Sequence, residues 1–302
     1  MKKKFHSNGK LLISGEYAIL DGALGLAIPT SYGQSLSLLP TTTKTVEWRS
    51  VDSRGAVWFT ARFALGTLDI LHSSQQAMAL TLQGLLLEAQ RQNPLFLRDS
   101  TGFEVETKLD FPINWGLGSS STLIDGLAQW ARADPYQLLW NAFGGSGYDI
   151  ACARHNGPIT YRLVAGKPEV TPIPFEPLFA DFLYFVHLNQ KQSSKAAIAA
   201  YRSLGAAREN LVGDITQITQ SMVQAQTLAE FEALMEEHER LLALVLGMAP
   251  IKGQLFPDYP GTIKSLGAWG GDFVLATGDP GTRAYFGSKG YPTVIPYAKM
   301  IL

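Results

Sequence analysis

The stretch Pro112-Ile113-Asn114-Trp115-Gly116-Leu117-Gly118-Ser119-Ser120-Ser121-Thr122 constrains this chain more than any other. It sets two glycines, three consecutive serines and a threonine between a strand-like run ending near Phe111 and a helix-like run from about Leu123 to Arg132. Glycine lets the backbone approach a ligand and take positive φ angles. A helix start presents unpaired N–H groups and the positive end of a dipole. Together these features predict a phosphate-binding loop. A flexible turn with a serine helix cap fits the same residues, so the rest of the chain has to decide between them.

Gly9 to Gly22 reads as a buried strand, a glycine turn and a second strand. Alternation at 35–38, 46–49 and 57–60 predicts antiparallel strands with one wet face. Gln75 to Gln92 reads as a helix with Met78, Leu82, Leu85, Leu86 and Ala89 on one side. A strand over 103–107 leads into the opening loop, and Asp134-Pro135 starts a further helix. A second glycine cluster, Gly144-Gly145-Ser146-Gly147-Tyr148-Asp149, precedes a strand at 159–163. Pro168, Pro172, Pro174 and Pro177 mark a domain boundary near 165–178. Beyond it come a buried strand at 182–188, a polar loop at 189–195 and two helices. Leu211, Ile215, Ile218 and Met222 form the apolar stripe of one; Leu228, Phe231, Leu234, Met235, Leu241, Leu242 and Val245 form that of the other. The third glycine cluster, 267–271, precedes a strand at 273–276.

Lys and Arg number 25 against 26 Asp and Glu, so no basic field calls for nucleic acid. The single cysteine, Cys152, leaves no intrachain disulfide and no cysteine metal cluster. It fits a reducing, cytoplasmic setting. The basic start at Met1–Asn8 resembles the end of a signal peptide, but Ser14, Gly15 and Glu16 interrupt the apolar run that follows. No apolar run approaches the roughly 18 residues of a membrane span.

Lys10 is followed by Leu11, which excludes a Walker A motif. A dinucleotide fingerprint fails at Ser121, where its third glycine belongs. His6, His72, His155, His187 and His238 lack paired zinc-ligand spacing and read as surface or packed residues.

The ordered set Gly9-Lys10-Leu11-Leu12-Ile13-Ser14-Gly15-Glu16-Tyr17-Ala18-Ile19-Leu20-Asp21-Gly22, Pro112-x-x-x-Gly-Leu-Gly-Ser-Ser, Gly145-Ser146-Gly147-Tyr148-Asp149 and Gly267-Ala268-Trp269-Gly270-Gly271-Asp272 resembles the GHMP kinase superfamily. The first, third and last of these are most similar to the phosphomevalonate kinases, and mevalonate kinases are the neighbouring branch. The resemblance implies two α+β domains: a ribosomal-protein-S5-like domain over 1–170 and a ferredoxin-like domain over 171–302. It also implies an ATP- and Mg²⁺-dependent enzyme of isoprenoid biosynthesis, acting on phosphomevalonate or mevalonate. No nucleic acid or membrane partner is implied. Gly116, Leu117, Gly118, Ser119, Ser120 and Ser121 would hold the triphosphate, and Ser120 would ligate Mg²⁺. Asp149 would orient or deprotonate the acceptor hydroxyl, with Lys10 stabilising its charge. Tyr17, Ser146, Gly147, Ser193 and Gly270 would line the acceptor site.

The chain departs from the family pattern in three places. Trp269 stands where the third motif has a glycine, Ser121-Thr122 stand where alanines are usual, and the region around Leu138 lacks the metal-binding Glu of mevalonate kinases. Glu16 and Lys264 receive no role. Two other readings stay open: a decarboxylase that phosphorylates its diphosphate substrate and releases CO₂, and a sensor that binds nucleotide without turnover.

Overall fold

A computed structural model describes residues 2–98, 101–190, 201–203, 207–267, 269 and 271–302. The chain forms two compact units that interleave in sequence. One comprises Met1–Gly9, Tyr32–Ile113 and Leu117–Arg154; the other comprises Lys10–Ser31, Asn114–Gly116 and His155–Leu302. Strand β1 (Lys3–Ser14) and strand β2 (Gly25–Thr41) each begin in one unit and end in the other. The chain therefore changes unit several times along its length. Pro168 and Pro172 lie in β8 (Lys167–Pro172), the edge strand beside β7 (Ile159–Val164). An edge position tolerates the missing N–H.

In the first unit the sheet runs β5 (Ile70–Ser73), β4 (Val57–Ala64), β3 (Thr45–Val51), β6 (Gly102–Leu109) and the later part of β2. Period-two alternation sends Leu36, Leu38, Val46, Trp48, Phe59, Phe63 and Val105 to one buried face. Helix α1 (Gln76–Gln92) meets that core with Ala79, Leu82, Leu85, Leu86 and Ala89. On other positions Glu47 pairs with Arg62 at 2.7 Å, and Arg49 pairs with Glu106. One pairing differs from expectation. β3 and β6 are parallel, because alternation fixes which face a residue takes but not the direction of the neighbouring strand.

The helix after the loop is α2, Ser119–Ala131. It starts four residues earlier than its apolar pattern implies, so the three serines form its first turn. Helices α3 (Pro135–Ala142) and α4 (Tyr148–Arg154) complete this unit. Asp134 caps α3 by accepting from the Tyr136 N–H at 2.9 Å.

In the second unit four antiparallel strands lie in the order β10 (Ile263–Ser265), β11 (Phe273–Thr277), β9 (Leu183–His187), β12 (Val294–Pro296). Between β9 and β10 the chain forms the helices Ala207–Gln224 and Leu228–Leu246, and between β11 and β12 the helix Thr282–Ser288. This is the ferredoxin-like strand order. The expected second strand after Gly15 is instead a 3-10 helix, Ala18–Asp21. Gly15 (φ 113°) and Tyr17 (φ 60°) turn the chain too sharply for a strand to continue, and Ala18 and Ile19 are buried in the turn.

Candidate active site

In the first unit, Gly118 takes the left-handed conformation (φ 91°, ψ 41°) at the start of α2, and no side chain caps the helix. The serine-cap reading is therefore overturned. The Ser121 hydroxyl donates back to the Gly118 carbonyl at 2.8 Å, and the Thr122 hydroxyl donates to Gln34 at 2.8 Å. Neither reaches the N–H groups of the first turn, which have no intrahelical acceptor. Ser120 is exposed and Ser119 half-buried.

Beside this helix start lies a pocket of about 440 Å³. Trp48, Trp58 and Phe59 of the sheet, Met78 and Leu82 of α1, and Ser119 and Ser120 of α2 are among its lining residues. The Trp58 indole N–H is buried with no acceptor among the described residues.

Two further elements of this unit bear on the site. Gly147 (φ 90°) leads into α4, whose first turn holds Asp149, half-buried, accepting from the Ile150 N–H at 3.1 Å. Ser146 is buried beside Gly147. A fully buried carboxylate, Asp125 on α2, accepts from Ser7 at 2.7 Å and Gln129 at 2.8 Å, and pairs with Arg154 of α4 at 3.3 Å. Burial pushes its pKa up, against those three partners. Asp125 thereby ties the serine-bearing helix to the helix of Asp149.

The second unit brings together the first motif, the start of the second and the end of the third. Asn114 donates to Asn189 at 2.8 Å, its carbonyl lies 3.1 Å from His187 Nε2, and Trp115 meets Phe273 edge-on. Gly116 (φ 65°) lies against Asp272, so a Cβ placed there would fall 1.8 Å from the carboxylate. Only glycine fits.

Behind these turns sits a buried charged cluster. The Lys264 ammonium donates to Glu16 Oε1 at 2.5 Å and to the Ser265 carbonyl at 3.0 Å. Burial alone would raise the Glu16 pKa, but the Lys264 ammonium outweighs it and holds it down. His238 Nε2 accepts from the Gly15 N–H at 3.3 Å and lies 3.1 Å from Glu16 Oε2. Burial, helped by Lys264, lowers the His238 pKa and keeps the ring neutral. Next along the helix, Glu239 Oε1 accepts from the Ser265 N–H and the Trp269 indole, both at 3.0 Å, and its Oε2 from the Ser265 hydroxyl at 3.1 Å. Burial pushes Glu239 up to about 7 even though Lys264 opposes it. Glu16, nearest the ammonium, is thus the ionised partner.

Trp269 itself has φ 48°, a left-handed backbone rare for a residue with a side chain. Its buried indole packs in an apolar cluster that includes Tyr17, Tyr201, Leu211 and Leu242. Tyr17, an expected acceptor contact, is buried there, and its hydroxyl has no hydrogen-bond partner among the described residues. Burial and the neighbouring Glu16 raise its pKa. Lys10 is half-buried in this same unit. The two other expected acceptor contacts, Ser193 and Gly270, lie outside the described residues.

Among the described residues, no group of three or more His, Cys, Asp or Glu side chains is placed to hold a metal ion. Ser120 is exposed on the first turn of α2, and a single hydroxyl there would suffice for Mg²⁺, which keeps few protein ligands. No described helix is long and apolar enough to cross a membrane.

No protein-family model matches the sequence, and no curated protein matches it. Solved structures do match in fold. Mevalonate kinase from Methanococcus jannaschii superposes with a TM-score of 0.72 at 14% identity, over 97% of this chain and 96% of that one. Phosphomevalonate kinase from Streptococcus pneumoniae, in complex with phosphomevalonate and AMPPNP, gives 0.69 at 15% identity over 95% of each chain. A mevalonate diphosphate decarboxylase from Legionella pneumophila gives 0.61 at 13% identity, over 98% of this chain and all (100%) of that one. The chain shares the α+β fold of these solved structures.

Proposed function

We propose that this chain is an ATP-dependent small-molecule kinase that transfers the γ-phosphoryl group to phosphomevalonate or mevalonate in isoprenoid biosynthesis. The observation that carries this reading is the sharing of Ser119 and Ser120 between an uncapped helix start and an aromatic-walled pocket. An apolar slot beside an array of free N–H groups is what a nucleotide requires: a base against rings, phosphates at a helix N-terminus. The neighbouring kinase folds, one of them solved with AMPPNP, support the same reading. The assignment of residues 1–170 and 171–302 as the two family domains belongs to it.

Phosphoryl transfer runs through a loose transition state, so catalysis is mainly positioning and charge neutralisation. The N–H groups of 119–121 would hold phosphate oxygens, with the α2 dipole favouring their charge. Ser120 would share Mg²⁺ with those oxygens, and the ion would neutralise charge developing on the transferred group. Asp149 would accept or orient the acceptor proton, and Lys10 would stabilise the resulting alkoxide. Ser146 and Gly147 would shape the approach to Asp149.

The test is incubation with Mg-ATP and each of the two acceptors. ADP release with one of them is expected, with turnover lowered at least about 100-fold in Asp149→Asn. No ADP from either acceptor, or full activity in Asp149→Asn, overturns the reading. The Legionella neighbour keeps a second reaction in view, decarboxylation after phosphorylation of a diphosphate substrate. Release of CO₂ from that substrate would identify it.

A further inference from the structure

Strand β2 carries a polar side chain where its apolar alternation calls for another leucine. Leu36 and Leu38 belong to the core of the first unit. Gln34, two residues before Leu36 on the same face, is only 5% exposed. Its backbone is held on both sides: Gln34 pairs with Leu109 of β6, and the neighbouring Gly33 N–H donates to Asp110 Oδ1 at 2.5 Å. The side chain reaches the start of α2. Its carbonyl oxygen accepts from the Thr122 hydroxyl at 2.8 Å, and that hydroxyl lies 3.1 Å from the carbonyl oxygens of both Gly118 and Ser119. The amide nitrogen of Gln34 has no acceptor among the described residues. It is not sealed off, and Gln34 lines the same pocket as Ser119 and Ser120. A buried amide with two unused N–H groups is costly to keep, and such a group asks for a ligand that accepts.

Thr122 sets which way the amide faces. A carboxamide offers an acceptor on one side and donors on the other. By donating to the oxygen, the Thr122 hydroxyl leaves the nitrogen for the pocket. Thr122 stands where the resembling family has alanine, and an alanine could not make this contact. The departure in α2 and the polar residue in β2 are two halves of one interaction, between residues 88 apart in sequence.

We propose that Gln34 is a further phosphate-binding residue of the nucleotide site: held by Thr122, it adds its amide N–H donors to those of the first turn of α2. The proposal rests on the kinase reading above and uses residues of the first unit alone. Phosphate oxygens only accept, so they match an uncapped helix start and an amide nitrogen at one place.

The test is calorimetric titration of Mg-AMPPNP into wild type, Gln34→Leu and Gln34→Glu, with folding checked by circular dichroism. Gln34→Leu completes the apolar stripe and removes the donors. Its Kd should rise about tenfold, the scale of one lost hydrogen bond to a charged group. Gln34→Glu keeps the size but sets a carboxylate against the phosphates. Its Kd should rise at least about 100-fold at low salt, and the excess over Gln34→Leu should shrink as salt is raised. A change of packing alone would show no such salt dependence. Thr122→Val keeps the shape and releases the amide; it should raise the Kd about threefold and add nothing to Gln34→Leu in the double variant. A folded Gln34→Leu with wild-type Kd overturns the proposal, as does a Gln34→Glu that binds as well as Gln34→Leu or better. If neither folds, a wild-type Kd in Thr122→Val overturns it equally. A wild-type protein that binds no AMPPNP defeats the kinase reading and this proposal with it; one that binds AMPPNP and ignores these substitutions defeats the proposal alone.

Discussion

Glu239 makes a stability prediction whose sign and size follow from its surroundings. The residue is 3% exposed, and its carboxyl is pushed up to about 7 in the folded chain from an ordinary value near 4.5. Between those two pH values the folded state keeps a proton that the unfolded state has released. The native form thus binds more protons, and stability falls as pH rises through this window. A displacement of about 2.5 units at 1.36 kcal/mol each gives about 3 kcal/mol, fully lost once the pH passes the folded value. Glu239→Gln carries no titration and keeps the contacts, so its stability should not show this decline. Urea unfolding at pH 5 and pH 8, at fixed ionic strength and followed by tryptophan emission, measures the difference. Wild type should lose about 2.5 kcal/mol more than Glu239→Gln between the two pH values, because part of the effect is already gone at pH 5. Parallel behaviour within about 1 kcal/mol would refute the placement of a buried, unneutralised carboxyl at this position.

Lys264→Met strands the Glu16 carboxylate in the core and should cost about 3–5 kcal/mol by urea unfolding at pH 7. The cost should shrink toward pH 5, because Glu16 without its ammonium is left to the burial that raises its pKa. Gly116→Ala drives a methyl into Asp272 and strains a left-handed residue; a loss of about 1–3 kcal/mol and at least tenfold weaker AMPPNP binding by calorimetry are expected. Asp125→Ala leaves Arg154 without its buried partner and should lower stability by about 2–3 kcal/mol, while Asp125→Asn, which keeps an acceptor for Ser7, should lose less.

Much of this was legible in the residues, and the failures share a cause. Apolar spacing located α1 and the two long helices of the second unit, because such stripes are set by burial alone. Polar first turns are harder: serine is a weak helix former, so α2 was read from Leu123 although Gly118 starts it. The apolar stripe of the helix Leu228–Leu246 runs from Met235 to Leu241 with a gap, and His238 and Glu239 fill that gap on the buried face. That interruption was the available signal for the charged cluster. Its partners, Glu16 and Lys264, lie far away in sequence, and spacing says nothing about such pairings. Trp269 was visible as a departure from the glycine motif, yet its left-handed backbone and its bond to Glu239 depend on a helix 30 residues earlier. The pocket wall was hidden for a different reason. Trp48, Trp58 and Met78 have the alternation and spacing of ordinary core residues, and only the sheet register and the packing of α1 bring them beside Ser119 and Ser120.

The claim on which the functional account depends is that the first turn of α2 holds nucleotide phosphates. Calorimetric titration of the wild-type chain with AMPPNP, with and without Mg²⁺, measures this directly. One saturable site is expected, strengthened by Mg²⁺ and lost when Leu117–Ser121 is rebuilt with Gly118→Val, since valine cannot hold the left-handed start of the helix. No saturable binding to the folded protein, or binding untouched by Gly118→Val, would contradict it.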